Sequence, residues 1–383
     1  MFWVATGLIA VETTLFTLVV PALPVFAERY SLSDSEAALI FAAFPVAQLL
    51  SAFASARPVE RHGRRPAILF AGVLLLVATL AFALVSDPLP LVAARSIQGV
   101  AAGLAWTAGI AAISDVYPNE ELGFRIGLAE TAGGGAGLLG PLIGGILIAS
   151  IGTGPTFALA CALPAALLVV SVAVPETATA ARPPPRLGDA LRRLALQPAA
   201  RAGAAALAGT AAAFALLEPL LPLDLVARHG SSPAQVGLVF GAGLLAFFLT
   251  APLAGRWSDR HGRRLPFLIG GALALTMPLT AVGSPLVVAL AFAAVGAALA
   301  IMAAPCGPLL TGAVDDAGMA GMYGLSAAVL TIIFAAGYSI GPLAGAAASA
   351  VAPFWAITSV AALLLGAVAI AAYRLLDPVR HGV

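Results

Sequence analysis

The chain has 383 residues, 61% of them hydrophobic and 10% charged, with a formal net charge of +1. Its mean hydropathy of +1.02 excludes an ordinary water-soluble globular domain. The net charge identifies no partner by itself, and no nucleic acid is expected. In chain order, twelve apolar segments long enough to cross a bilayer are expected, at about residues 2–27, 37–56, 66–86, 89–117, 124–150, 155–174, 199–227, 233–255, 265–283, 285–313, 319–350 and 353–375.

Segment 1 carries Glu12 near its middle and Pro21 and Pro24 toward its end. Met1-Phe2-Trp3 leads in without a charged stretch, so the segment is read as a retained span, not a cleaved signal. Ser33 and Glu36 have the spacing of a capping box opening segment 2, whose one polar interior group is Gln48 and which also holds Phe44. Segment 2 runs into the polar decapeptide Ala56-Arg57-Pro58-Val59-Glu60-Arg61-His62-Gly63-Arg64-Arg65. Segment 4 contains Arg95-Ser96-Ile97-Gln98-Gly99 and, further along, Trp106; segment 5 is glycine-dense and includes Gly140-Pro141-Leu142-Ile143-Gly144-Gly145. Residues 175–198 read as a cytoplasmic linker with a short amphipathic helix around Asp189–Leu196, dividing a bundle at 1–174 from another at 199–383.

The second half echoes the first. Gly255-Arg256-Trp257-Ser258-Asp259-Arg260-His261-Gly262-Arg263-Arg264 stands 199 positions after the first decapeptide. Pro219-Leu220-Leu221-Pro222 answers Pro21-Ala22-Leu23-Pro24, and Gly341-Pro342 answers Gly140-Pro141. Three landmarks in near-constant register predict two parallel six-helix halves, an all-α membrane protein of twelve helices in two bundles. The chain has no Lys, and 16 of its 19 Arg fall in one set of inter-segment loops. The positive-inside rule then places both decapeptides, the linker and both termini in the cytoplasm. Forty glycines suit close helix packing in lipid.

These residues resemble the major facilitator superfamily, and within it the drug:proton antiporters and vesicular amine transporters. The decapeptides look like that superfamily's loop motif, Arg95 to Gly99 like its helix-4 motif, and Gly140, Pro141, Gly144 and Gly145 like the helix-5 motif associated with antiporters. Glu12 ahead of Pro21, Leu217-Glu218-Pro219, and Gly337-Tyr338-Ser339-Ile340-Gly341-Pro342 are similar to vesicular amine transporters. The resemblance implies rocker-switch alternating access in a monomer of the cell (inner) membrane. The loop motifs (Glu60, Arg61, Gly63 and Arg64; Gly255, Asp259, Arg260, Gly262 and Arg263) would act as a conformational lock. Ala56 and Glu60 depart from that motif, and the alternative reading of its Arg residues is as positive-inside anchors only. Amine transporters carry acids where this chain has Ala303 and Thr331, and a Lys where Phe44 stands, so their full charge network is not expected.

Ionisable groups at membrane depth are the strongest pointers to function, because each costs about 2.5–3.5 kcal/mol at the bilayer centre on insertion scales unless paired or neutralised. Glu12, Arg95 and Glu218 stand out: two acids and one base leave one negative charge, which a proton or a cationic substrate can balance in competition. Glu12 is the first candidate for proton and cation binding, against a packing role satisfied by Thr13 or Thr14. Glu218 reads either as a gate partner of Arg95 or as half of a fixed buried pair. Glu130 reads as a solvated rim charge or a second proton site. Gln48, Gln98, Trp106, Phe334, Tyr338 and Phe44 are expected to line the substrate pocket, the aromatics by cation–π or stacking contacts, with core packing the alternative for any one of them. No metal-ligand cluster, phosphate loop or catalytic constellation emerges, so no cofactor, no metal and no enzyme activity are expected. The function expected is proton-driven export of small hydrophobic cations or amines, including multidrug efflux. The alternative is a symporter or uniporter for a neutral or anionic metabolite.

Overall fold

The computed structural model describes residues 1–177, 192–319 and 323–376. Residues 178–191 of the expected linker, with Arg182, Arg186 and the start of the expected amphipathic helix, lie outside the described residues, as does Arg380. Among the described residues there is no strand. Segments 1 to 5 fold as α1 (Phe2–Arg29), α2 (Asp34–His62), α3 (Arg64–Leu84), α4 (Pro88–Val116) and α5 (Asn119–Ile151). Segment 6 is split into α6 (Thr153–Ala160) and α7 (Ala162–Val172). The second half continues with α8 (Pro198–His229), α9 (Pro233–His261), α10 (Leu265–Ala274), a 3-10 turn at Met277–Ala281, α11 (Pro285–Ala303), α12 (Cys306–Val314), a π-helical turn at Asp315–Met319, α13 (Tyr323–Ser349) and α14 (Phe354–Leu375).

Segments 6, 9 and 10, expected as single helices, are interrupted, and each break lies next to a proline. Pro164 sits in the first turn of α7, Pro278 in the 3-10 turn, and Pro305 between α11 and α12. Proline cannot donate the helical hydrogen bond and its ring crowds the preceding turn, so the chain restarts there. Among the described residues, eleven helices are long and apolar enough to cross a membrane, and the shorter, broken apolar stretch Leu265–Ala281 stands where the remaining span is expected. The fold is an all-α membrane protein of twelve helices in two six-helix bundles. At the start of α2, Glu36 N donates to Ser33 Oγ at 3.3 Å and Ser33 N donates to Glu36 Oε2 at 2.8 Å, closing the capping box.

The helices extend further into the decapeptides than their polarity suggests. α2 continues through His62 and α9 through His261, so the first seven of the ten residues in each copy are helical. The turns fall at Gly63 (φ +100°) and Gly262 (φ +96°), a region of backbone space that side-chain-bearing residues avoid.

Two compact units are present: Met1–Arg182 with Leu225–Gly241, and Pro183–Asp224 with Ala242–Val383. In the first, α1 lies along α5, and α2 along α4, with α3 packed on α4 and on α6–α7. A Cβ at Gly140 of α5 would come 2.6 Å from the Thr14 carbonyl oxygen of α1, and one at Gly103 of α4 would come 2.8 Å from Ala52 N of α2. The second unit repeats both contacts. A Cβ at Gly341 of α13 would come 2.8 Å from Leu216 N of α8, and one at Gly296 of α11 would come 3.0 Å from the Gly243 carbonyl carbon of α9. The sequence repeat is therefore also a repeat of backbone-to-backbone glycine contacts, which hold helices closely in lipid without a hydrophobic driving force.

Candidate functional site: two buried carboxylates

Within the first unit, Glu12 lies near the middle of α1 and is 2% exposed. Two neutral donors reach its Oε2: Trp106 Nε1 of α4 and Thr13 Oγ1, each at 3.2 Å. The Thr13 hydroxyl is also within 2.9 Å of the Ile9 carbonyl. No described residue forms an ion pair with Glu12, although the Arg95 charge acts on it electrostatically. Across from it α5 offers Gly133, where a Cβ would stand 2.9 Å from Ile9 and 3.7 Å from both Thr13 and the Trp106 ring. The glycine lets the indole and the carboxylate share a tight corner.

Arg95, two turns into α4, is completely buried. Its guanidinium sits over three rings: Phe41 at 4.5 Å, Phe44 at 4.8 Å and Phe16 at 5.0 Å. Arg95 Nη1 donates to Gln98 Oε1 at 2.8 Å, and Nη2 to the Phe41 carbonyl at 3.4 Å. Gln98 and Phe44, expected against substrate, are thus both engaged with Arg95, and each is 2% exposed.

The second unit holds the other acid. Glu218 of α8 is 1% exposed and accepts a hydrogen bond from the Tyr338 hydroxyl of α13. Phe334, one turn earlier on α13 and 46% exposed, stacks on Tyr338 at 5.3 Å. Phe214 of α8 flanks Tyr338 at 6.4 Å and Phe292 of α11 at 6.3 Å, extending the aromatic wall. The i, i+4 spacing of Phe334 and Tyr338 puts both rings on one helix face. Gln48 is half-buried on α2, and Glu130 is exposed on α5.

The decapeptide copies differ in their surroundings. In the first, buried Arg64 makes an ion pair with Asp115 at the end of α4 (2.7 Å) and donates to the Val59 carbonyl at 3.1 Å. Glu176 closes the same corner: its two oxygens accept from Arg64 N (2.9 Å) and Arg65 N (3.1 Å), the first amides of α3. Arg65 Nη2 donates to the Val172 carbonyl at 2.6 Å. Sequence reading missed Glu176; its signal is an acid just past a segment end, behind Pro175. In the second copy, Arg263 donates to the Pro308 carbonyl at 3.3 Å, and Asp259, Arg260 and His261 are exposed. Asp259 forms no ion pair with a described residue. Of the helix-5 motif, Gly140 and Gly144 face Thr14 and Leu18 of α1, whereas a Cβ at Gly145 would stand 3.2 Å from Ala234 Cα at the start of α9, in the same unit.

Acids buried in apolar helices and backed by glycine-packed bundles are the features of a multi-pass membrane transporter. More particularly, the chain belongs to the Major Facilitator Superfamily, whose model matches residues 5–217 and again 203–383. It is 31% identical over 320 residues to the vesicular acetylcholine transporter of Rattus norvegicus, covering 81% of this chain and 60% of that one. It is 28% identical over 300 residues to the synaptic vesicular amine transporter of Homo sapiens, covering 76% and 58%. The chain thus spans about 60% of the length of these relatives. Among solved structures, a D-xylose-proton symporter superposes with a TM-score of 0.74 at 15% identity, covering 98% of this chain and 96% of that one. A bacterial homolog of the human lysosomal transporter Spinster, in its inward-facing and occupied conformation, gives 0.73 at 16%, covering 98% and 93%. At such identities these two speak for the fold alone.

Proposed function

We propose that the chain is a proton-coupled antiporter that exports small hydrophobic cations or amines by alternating access, with Glu12 as the shared proton and cation site. The observation that carries this reading is the state of Glu12: buried at membrane depth, held by two neutral donors and without an ion pair to any described residue. A carboxylate so placed is costly when charged and uncompensated. A proton or a cation cancels that charge, one excluding the other, and this exclusion is the simplest basis for exchange. Similarity to the vesicular acetylcholine and amine transporters supports a cationic cargo. Glu218 with Tyr338 and Phe334 supplies a second acid beside aromatic faces suited to an amine. The absence of acids at Ala303 and Thr331 favours a simpler coupling scheme than the full amine-transporter network.

Arg-rich loops on one side favour an orientation in the cell membrane with both termini cytoplasmic. The test uses purified protein in liposomes with an imposed pH gradient, wild type beside Glu12→Gln, following internal pH as lipophilic cations and amines are added. Proton movement driven by some compound in wild type and absent in the variant is expected. Transport that ignores both the gradient and the substitution would refute coupling at Glu12 and leave a uniporter.

A further inference from the structure

The first unit contains a buried acid and a buried base whose charges act on one another, yet Glu12 makes no ion pair to a described residue. An arginine side chain is long and flexible, and a nearby carboxylate at low dielectric attracts it strongly. Something must set where the guanidinium rests. The rings supply that restraint from two helices. Phe41 and Phe44, three residues apart on α2, present one face, and Phe16 comes from α1, one turn beyond Glu12 itself. Phe16 and Phe44 are stacked, with centroids 4.2 Å apart and planes inclined by 24°, so they make one rigid wall, with Phe41 beside it. All three rings are buried and lie within 5.0 Å of the guanidinium carbon. Gln98 Oε1 and the Phe41 carbonyl then fix its rotation through hydrogen bonds from Nη1 and Nη2. Cation–π contact is strongest when the cation is desolvated, as here.

We propose that Phe16, Phe41 and Phe44 are positioning residues, a cage that holds the Arg95 guanidinium back from Glu12 so that the carboxylate feels its field yet stays open to a proton or cation. The consequence for exchange rests on the reading of Glu12 given above; the cage itself does not. Around Glu12 the other packed surfaces bring no described charge of their own: α5 presents Gly133 and Gly137 to Thr13, and α7 presents Leu167 to Gly7 of α1. Arg95 is the one charge acting on Glu12 among the described residues. Loss of the rings therefore frees one specific competitor.

The test is independent of any substrate. Dicyclohexylcarbodiimide attacks the neutral form of a buried carboxyl and not an ion-paired carboxylate, so labelling of Glu12, read by peptide mass spectrometry on the purified full chain at mildly acidic pH, reports whether it is open. Wild type is expected to label, and Glu12→Gln not at that peptide. Phe41→Leu with Phe44→Leu should lower labelling by about tenfold or more, the factor by which an adjacent opposite charge suppresses the neutral acid. Phe41→Tyr with Phe44→Trp, which keep the ring faces, should label as wild type does. Adding Arg95→Gln to the ring-loss variant should restore labelling. If the double variant aggregates, Phe41→Leu alone, at the nearest ring, carries the same expectation.

Unchanged labelling on ring loss, an equal fall in the Arg95→Gln background, or no labelling of wild type would each overturn the cage. Exchange of tetraphenylphosphonium for protons in liposomes forms a separate arm. Its absence in wild type alongside the expected labelling pattern would sink the antiporter reading and leave the cage standing.

Discussion

The same substitution at two glycines of α5, five residues apart, is expected to move stability in opposite directions. Gly140 meets α1 backbone to backbone: an added methyl would stand 2.6 Å from the Thr14 carbonyl oxygen and 3.0 Å from Leu18 N, besides meeting the Thr17 hydroxyl. Comfortable carbon contacts begin near ~3.5 Å, so the helices must part by roughly half to one ångström, and helical backbone cannot swing aside as a side chain can. Overpacking of this kind costs about 1–3 kcal/mol. Gly135, by contrast, has nothing within 4 Å of its added methyl. There Gly135→Ala keeps only the gain in helix preference, about 0.5–1 kcal/mol. That gain is common to both variants, so the gap between them is the overpacking cost, about 1–3 kcal/mol, on one helix with one chemistry. Thermal unfolding of each purified variant in detergent, followed by gel filtration after a heating series, reads the difference directly. A Gly140→Ala protein as heat-resistant as wild type, or a Gly135→Ala protein equally damaged, would refute the close α1–α5 contact.

Three further expectations follow from other contacts. Tyr338→Phe removes the donor to buried Glu218 and should destabilise the protein by about 1.5–3 kcal/mol, while Glu218→Gln, which still accepts from the phenol, should cost less; equal losses in unfolding experiments would contradict the pairing. Asp115→Ala breaks a bridge whose partners are each only 11% exposed and should cost about 3 kcal/mol, whereas Glu121→Ala, whose bridge to Arg125 is 31% and 51% exposed, should stay within about 0.5 kcal/mol. In a protein whose other tryptophans, Trp3, Trp257 and Trp355, are replaced by Phe, Trp106 emission should respond to acidification, and Glu12→Gln should abolish the response; a response that survives would place the sensed group elsewhere.

Much of this architecture is legible in the residues themselves. Apolar runs of bilayer length give the spans, and the repeated decapeptides with Gly140-Pro141 and Gly341-Pro342 give the two halves. Glu12, Arg95 and Glu218 are conspicuous because charge is rare in such a chain. The neighbours of those charges are harder to read, because in a chain with 18 Phe no aromatic stands out by type. Phe44 and Gln98 read as pocket walls in the sequence, which gives no sign that each also contacts Arg95. Trp106 likewise looks like a stacking surface, and only the depth of its indole N–H, level with Glu12, makes it a donor. The interruptions at Pro164, Pro278 and Pro305 are hidden by hydropathy averaging, which counts apolar atoms and takes no account of a missing N–H. Glu176 shows as an acid just past a segment end, but its partners do not: they are backbone amides 111 and 112 residues away, which no local pattern encodes.

That last contact also bears on time. The first amides of a helix have no partner within it and ordinarily exchange their hydrogens with water quickly. At the head of α3 both are stoppered by one carboxylate from the far end of the bundle. Arg64 and Arg65 should therefore hold their amide protons far longer than a helix start beside a one-residue turn has any right to. Their release would report the moment at which the tail of α7 lets go of the turn between α2 and α3, a clock for loosening on the Arg-rich side of the bundle that needs neither substrate nor label.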